Sequence, residues 1–285
     1  MYSYLYKYLI LIIFQPIAKL VRFIFHDCVT GCNGCVDVNN VENRGLESTF
    51  TALNDIYDNE TSGFSSTNMS RADFYAIAGI VGMRAGAQNQ QCSDIGLPEN
   101  CTLPIPEVVI RYGRKDCSTS PNSNNDFGFP DPHRDLEHVM EVFRDGMGMT
   151  ERQAVAIIGA HALGQAAPQN SGFQGPWAPP GNRLDNAFYR ALRGRNSGWH
   201  QSQLNFPNAP PGVNPRFQWD TGNIQRTSQM PTMPQRGGRL MFNTDMVRAN
   251  LHHGACTESL SCGKSQYADK CSRNVVSLQK TNQLF

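Results

Sequence analysis

The chain has 285 residues, 40% hydrophobic and 17% charged, with a formal net charge of +1. That length holds one large domain or two moderate lobes around an internal cofactor pocket. The balanced charge argues against a nucleic-acid surface or a polybasic membrane patch, and the lack of an internal period excludes a solenoid.

The first residues, Met1 to Lys7, precede an apolar run from Tyr8 to Phe14. The run resembles a short signal sequence without a small-residue cleavage site, and it is too short to span a bilayer. Residues 1–15 are therefore a candidate signal or anchor segment, with a packed N-terminal helix or a mis-assigned start as alternatives. Pro16 suits a first helical turn, and the apolar spacing that follows predicts a helix over 16–30. A Gly/Cys/Asn loop covers 31–40. Helices are expected over 43–57 and 70–88, the latter with Ser70 at its N-cap. Residues 89–134 read mostly as loop, and 133–147 as helix. Thr150-Glu-Arg-Gln153 is a capping-box pattern opening an apolar helix from Ala154 to about Leu163. Residues 168–183 are Pro/Gly-rich loop, 185–193 a short helix, and 195–238 carry little periodicity. A further helix begins near Asp245. The expectation is a mostly α chain with long loops and little β.

Nine cysteines (Cys28, Cys32, Cys35, Cys92, Cys101, Cys117, Cys256, Cys262 and Cys271) fall in three clusters, none with zinc-type spacing. Three sequons, at Asn59, Asn68 and Asn100, accompany them. Together they favour an oxidising, extracellular route, with a membrane-anchored or intracellular chain as the alternative. The odd count leaves one thiol free or paired to another chain.

Arg22 and His26 lie four residues apart on the first helix, beside Phe25, so they share a face. A neutral imidazole can move a proton between the two oxygens of a peroxide, and a fixed guanidinium can stabilise charge on the departing oxygen. Such pairs are common, and this one alone reads more readily as a satisfied His beside a surface Arg. His161, in Ile158-Gly-Ala-His161-Ala-Leu-Gly164, reads either as a core residue or as an axial haem ligand with a carboxylate on its second nitrogen.

Arg22-x-x-Phe25-His26-Asp27-Cys28 and Gly159-Ala-His161-Ala-Leu-Gly164, about 135 residues apart in this order, resemble the distal and proximal signatures of the plant-type haem peroxidase superfamily. The resemblance extends over roughly residues 18–255. It implies that family's fold, two helical lobes with haem b between them. Here those would be a distal lobe over 16–145 and a proximal lobe over 146–285, the latter's C-terminal part packing back on the distal lobe. It implies Arg22 and His26 as the peroxide-cleaving pair, Asn43 as the acceptor that keeps His26 basic, His161 as the iron ligand and Asp245 as its carboxylate partner, not Asp185. It implies a structural ion pair of Asp73 with Arg114. Asn170 to Trp177 is similar to the same stretch of cytochrome c peroxidase and ascorbate peroxidase, and Trp177, sixteen residues after His161, is expected to pack against it. Phe25 is similar to the secreted plant and fungal enzymes and argues against a catalase-peroxidase.

Departures from the family matter too. Gln165 and Ala167 stand where cytochrome c peroxidase holds a haem propionate with Lys and His, leaving Ser171 as the candidate anchor. Asn170 replaces the Arg of ascorbate peroxidases. Ala162 removes a proximal calcium ligand. At the distal calcium position Asp27 and Gly31 match, but Asn33 and Cys35 replace Asp and Ser, and a thiol is a poor calcium ligand. A disulfide among Cys28, Cys32 and Cys35 would stiffen this loop instead. The expected activity is reduction of hydrogen peroxide with one-electron oxidation of phenols or aromatic amines by a monomer. The alternatives are a cytochrome c peroxidase-like enzyme working through Trp177, or a catalytically silent binding protein of the same fold.

Overall fold

The computed structural model describes residues 17–29, 31–59, 69–88, 108–118, 128–193, 198–204, 216–221 and 239–246. The apolar run at 8–14, the Asn68 and Asn100 sequons, and Cys92, Cys101, Cys256, Cys262 and Cys271 lie outside them. So does the C-terminal part expected to return to the first lobe. Among the described residues no helix is long and apolar enough to cross a membrane. Helices dominate and strands are short, and the chain divides into two compact units.

The first unit runs to Gly128 and includes Asn182–Leu184. It holds α1 (Ile17–Val29), a 3-10 turn at Val41–Asn43, α2 (Glu47–Asp58) and α3 (Arg71–Gln88). Leu20, Phe23 and Ile24 of α1 pack with Leu53 of α2 and Phe74, Tyr75 and Ile77 of α3 into one apolar core. The Phe23 ring meets Tyr75 edge-on at 4.8 Å. Helix α3 offers glycine where α1 crosses it. A Cβ on Gly79 would collide with Ile24 Cγ2, so only a bare backbone admits α1 this closely. The predicted 43–57 helix is two pieces, a turn and a helix, separated by Arg44-Gly45-Leu46, where Gly45 has φ +82°. L-residues rarely adopt that conformation.

Polar side chains from 108–118 fasten α3. Asp116 accepts the N–H groups of Arg71 and Ala72, two of the donors a helix start leaves open. Asp73 takes Arg114 Nη1 at 2.9 Å and the N–H groups of Gly113 and Arg114. Cys35 is bridged to Cys117 and Cys28 to Cys32, so every described cysteine is paired.

The second unit takes the described residues from Phe129 to Gly181 and from Asp185 onward. It begins with α4 (Leu136–Met140), which widens into a π-helical turn over Glu141–Gly146. Helix α5 (Glu151–Ile158) starts at the expected capping box. Thr150 Oγ1 accepts the Gln153 N–H while Gln153 Oε1 accepts the Thr150 N–H. The helix tightens into a 3-10 turn at Gly159–Ala162, and a Cβ on Gly159 would collide with the Tyr189 hydroxyl.

The segment expected as loop at 168–183 contains α6 (Pro168–Ser171), flanked by the antiparallel pair β1 (Gln165–Ala166) and β2 (Gly175–Pro176). Helix α7 (Ala187–Arg193) follows. The region expected to lack structure at 195–238 holds β3 (His200–Leu204) and β4 (Arg216–Asp220). With β5 (Leu240–Met241) they form an antiparallel sheet in the order β3-β4-β5. His200 pairs with Asp220 and Trp219 with Met241 in its register.

Candidate active site

In the first unit, Arg22 and His26 sit one turn apart on α1, whose apolar face is anchored against α3. His26 is buried. Its Nδ1 lies 2.6 Å from Asn43 Oδ1, and its Nε2 accepts from Arg22 Nε at 3.2 Å. An amide oxygen can only accept, so the proton sits on Nδ1 and Nε2 presents its lone pair. Asn43 is itself oriented by donating from Nδ2 to the Asp37 carbonyl at 2.7 Å. The two terminal nitrogens of Arg22 donate to the carbonyls of Arg44 (3.0 Å) and Glu42 (2.7 Å). The 3-10 turn and Arg44 after it thus hold both His26 and Arg22; the Asn43 contact was expected from resemblance, whereas the main-chain hold on Arg22 is one that no side-chain motif reveals. Burial and then the Arg22 cation push the His26 imidazole down to about 3, against the bond to Asn43. The group is therefore neutral at ordinary pH. The Phe25 ring stands edge-on to His26 at 5.8 Å.

Of the candidate calcium residues, Asp27 lies in the last turn of α1, and Gly31 and Asn33 in the loop that follows. Asp27 is fully buried, and its Oδ1 accepts the N–H groups of Gly34 and Cys35. Burial raises its carboxyl to about 7 despite those donors. Asn33 Oδ1 also accepts from Cys35 N. Among the described residues no three His, Cys, Asp or Glu side chains gather as a metal site. The two disulfides brace this turn.

In the second unit, His161 lies in the 3-10 turn after α5. Its Nδ1 is 2.9 Å from Asp245 Oδ1. Asp245 is 1% exposed, and its Oδ2 accepts Trp177 Nε1 at 3.0 Å and the Phe242 N–H at 2.9 Å. Three donors from separate stretches of chain therefore satisfy one buried carboxylate, as burial of a charge requires. The Trp177 ring stacks on the His161 ring at 4.2 Å and 10°. Phe188 and Phe242 close on the imidazole edge-on at 5.8 and 5.7 Å. Sequence reasoning did not single out Phe242, whose contributions are a main-chain N–H and a packed ring. Asp185 is elsewhere, with Oδ1 accepting the Ala187 N–H at the start of α7. Ser171 lies on α6, and its hydroxyl donates to the Ala167 carbonyl at 3.3 Å.

The chain matches the Peroxidase family profile over residues 14–259. It belongs to that family, within the plant-type haem superfamily. It is 39% identical over 95 residues to the mitochondrial cytochrome c peroxidase of Candida albicans, covering 33% of this chain and 25% of that one. It is 26% identical over 188 residues to L-ascorbate peroxidase 3 of Arabidopsis thaliana, covering 63% and 58%. With a putative heme-binding peroxidase of Pyricularia oryzae it shares 32% over 121 residues, covering 42% and 34%. The chain thus spans between a quarter and three fifths of the curated relatives it matches.

Proposed function

We propose that the chain is a haem-dependent peroxidase that reduces hydrogen peroxide and oxidises small organic donors one electron at a time. The observation that carries this reading is the shared wiring of two histidines. Asn43 and Asp245 each hold a proton on Nδ1, so both imidazoles present a lone pair at Nε2. In His26 that lone pair belongs to a base kept neutral beside a cation. In His161 it belongs to an imidazole whose Nε2 has no partner among the described residues.

The residues around His161 fit a haem. A nitrogen lone pair on an imidazole backed by a buried carboxylate and enclosed by Trp177, Phe188 and Phe242 is what would hold a haem iron. His161 would hold the iron. Bound haem supplies an iron that exchanges electrons with peroxide and with the donor. Asp245 keeps His161 Nδ1 protonated and so leaves the lone pair on Nε2. His26 Nε2 takes the proton from one peroxide oxygen and delivers it to the other, which departs as water. The contact from Arg22 Nε to Nε2, at 3.2 Å, is long enough to yield to that proton. The Arg22 guanidinium, held by two carbonyls, stabilises charge on the departing oxygen without reorganising.

The test is reconstitution with haem followed by peroxide. The expected result is a Soret shift that reverses on adding a phenol. A spectrum unmoved by peroxide would remove the reading and favour a silent binding protein. His161→Ala should loosen haem; unchanged affinity would refute the ligand assignment.

A second reading has one observation in its favour, the close stacking of Trp177 on His161, which suits an electron entering from a protein donor. Trp177→Phe decides between them. A large loss with ferrous cytochrome c but not with a small phenol would support the protein donor.

The chain is also read as secreted. The two disulfides favour an oxidising compartment, and Asn59 stands exposed at the C-cap of α2 with its sequon intact. A native protein that keeps free thiols and resists glycosidase would overturn this.

A further inference from the structure

The aromatic packing around His161 continues beyond Trp177. Phe242 lies 5.2 Å from Trp177, and Phe173 lies 4.5 Å from Phe242. His133 follows 5.4 Å from Phe173, and Phe217 6.4 Å from His133. Each step is within the usual range for packed rings, so the series is unbroken from the proximal histidine to Phe217. Phe217 is 39% exposed, one of four large hydrophobic residues so exposed among those described.

A cation stands beside this series. The Arg216 guanidinium lies 5.5 Å over the Phe173 ring, and its Nε donates to the Ser171 carbonyl at 3.2 Å. Its two terminal nitrogens have no partner among the described residues. They form a planar fork matched to a carboxylate. His133 has both nitrogens committed. Nε2 accepts the Phe217 N–H at 3.2 Å, which leaves the proton on Nδ1, facing Asp131 Oδ1 at 3.3 Å. It is therefore an aromatic wall, and Asp131 is turned to His133.

We propose that Arg216, His133 and Phe217 form a docking site for an aromatic donor carrying a carboxylate, a phenolic acid. Its electron enters through the packed rings of Phe173 and Phe242 to the Trp177–His161 pair. The carboxylate pairs with the free fork of Arg216, and the ring lies against Phe217 and His133. This deepens the peroxidase reading and rests on it. Each phenolic acid loses one electron and its phenolic proton and leaves as a phenoxyl radical. Two such donors supply the two electrons and two protons that convert one hydrogen peroxide to two waters.

The experiment uses the full haem-loaded chain, with 4-hydroxycinnamate compared with its uncharged alcohol. In Arg216→Gln, the ratio of kcat/KM for the acid over that for the alcohol should fall about tenfold or more, the scale of a lost charge-assisted hydrogen bond. Arg216→Lys, which keeps the charge but loses the fork, should recover part of it. Calorimetric titration of the acid without peroxide should show its Kd rising by a similar factor in Arg216→Gln. An unchanged ratio and Kd would overturn the proposal. So would faster transfer of haem from Arg216→Gln to a scavenger with no change in the ratio, which would assign the fork to a carboxylate of the haem itself. Loss of acid binding in Arg216→Gln supports the site even if no donor turns over, and that absence of turnover would refute the peroxidase reading instead.

Discussion

Replacing Asp245 with Asn tests the wiring of His161 at the cost of a single atom. Oδ2 receives two N–H groups, from Trp177 and Phe242, while Oδ1 meets only His161 among the described residues. An NH2 placed at Oδ2 would face two donors head-on, so the amide settles with its NH2 toward His161. Nδ1 must then accept, and the imidazole proton moves to Nε2. The lone pair proposed to hold the iron is lost unless this arrangement is undone. Breaking one charge-assisted hydrogen bond costs about 1.5–3 kcal/mol, which is about ten- to a hundredfold in affinity. Loss of a histidine's outer partner costs about the same in metal affinity generally. The assay is a haem titration of the apoprotein followed in the Soret band, with circular dichroism to confirm that the fold survives. Haem affinity within twofold of the parent, in a folded variant, would refute the tautomer argument.

Other predictions rest on the first unit. The unfolded chain protonates His26 near pH 6.5, whereas the folded protein holds it neutral down to about 3. Above pH 6.5 the group is neutral in both states and costs nothing. Below it, stability should fall by about 1.4 kcal/mol per pH unit until about pH 3. Denaturant titrations of the parent and His26→Gln should diverge accordingly, and parallel profiles would contradict the burial. Gly79→Ala should cost about 1–3 kcal/mol by overpacking against Ile24, read as a lower denaturation midpoint; Ile24→Ala, which removes the Cγ2 that the new methyl would strike, should lower the midpoint less in the Gly79→Ala background than in the parent. Cys117→Ser opens a bridge between residues 82 apart and should lose about 2–4 kcal/mol. An unchanged midpoint would argue against the Cys35–Cys117 pairing.

The helices were legible where one physical signal dominated. The capping box at Thr150 and the apolar face of α1 each state their own start or orientation. The β3-β4-β5 sheet was not legible, because its inward residues include Ser202 and Gln218, both buried. A strand that buries amides and hydroxyls carries no apolar alternation to read. The site divides along the same line. Arg22 with His26 is a local pattern of spacing. Asp245, 84 residues from His161, came only from resemblance to a family, since no spacing rule joins the two. The carbonyls of Glu42 and Arg44 that hold Arg22 are main-chain groups, which any residue carries. The contact of Arg216 with the Ser171 carbonyl exists only once β4 has brought it beside α6.

Gln218 is wholly buried, and its side-chain amide bonds both main-chain groups of Gln174. Oε1 accepts the Gln174 N–H at 3.0 Å, and Nε2 donates to the Gln174 carbonyl at 3.0 Å. One side chain thus does what an additional strand would do, and an amide, unlike a leucine, has a direction. A slip of β4 by a single residue would turn Gln218 to the other face and leave donor and acceptor at Gln174 without their partner. The ring of Trp177, three residues further along, is therefore aligned by a message that can be read in only one sense.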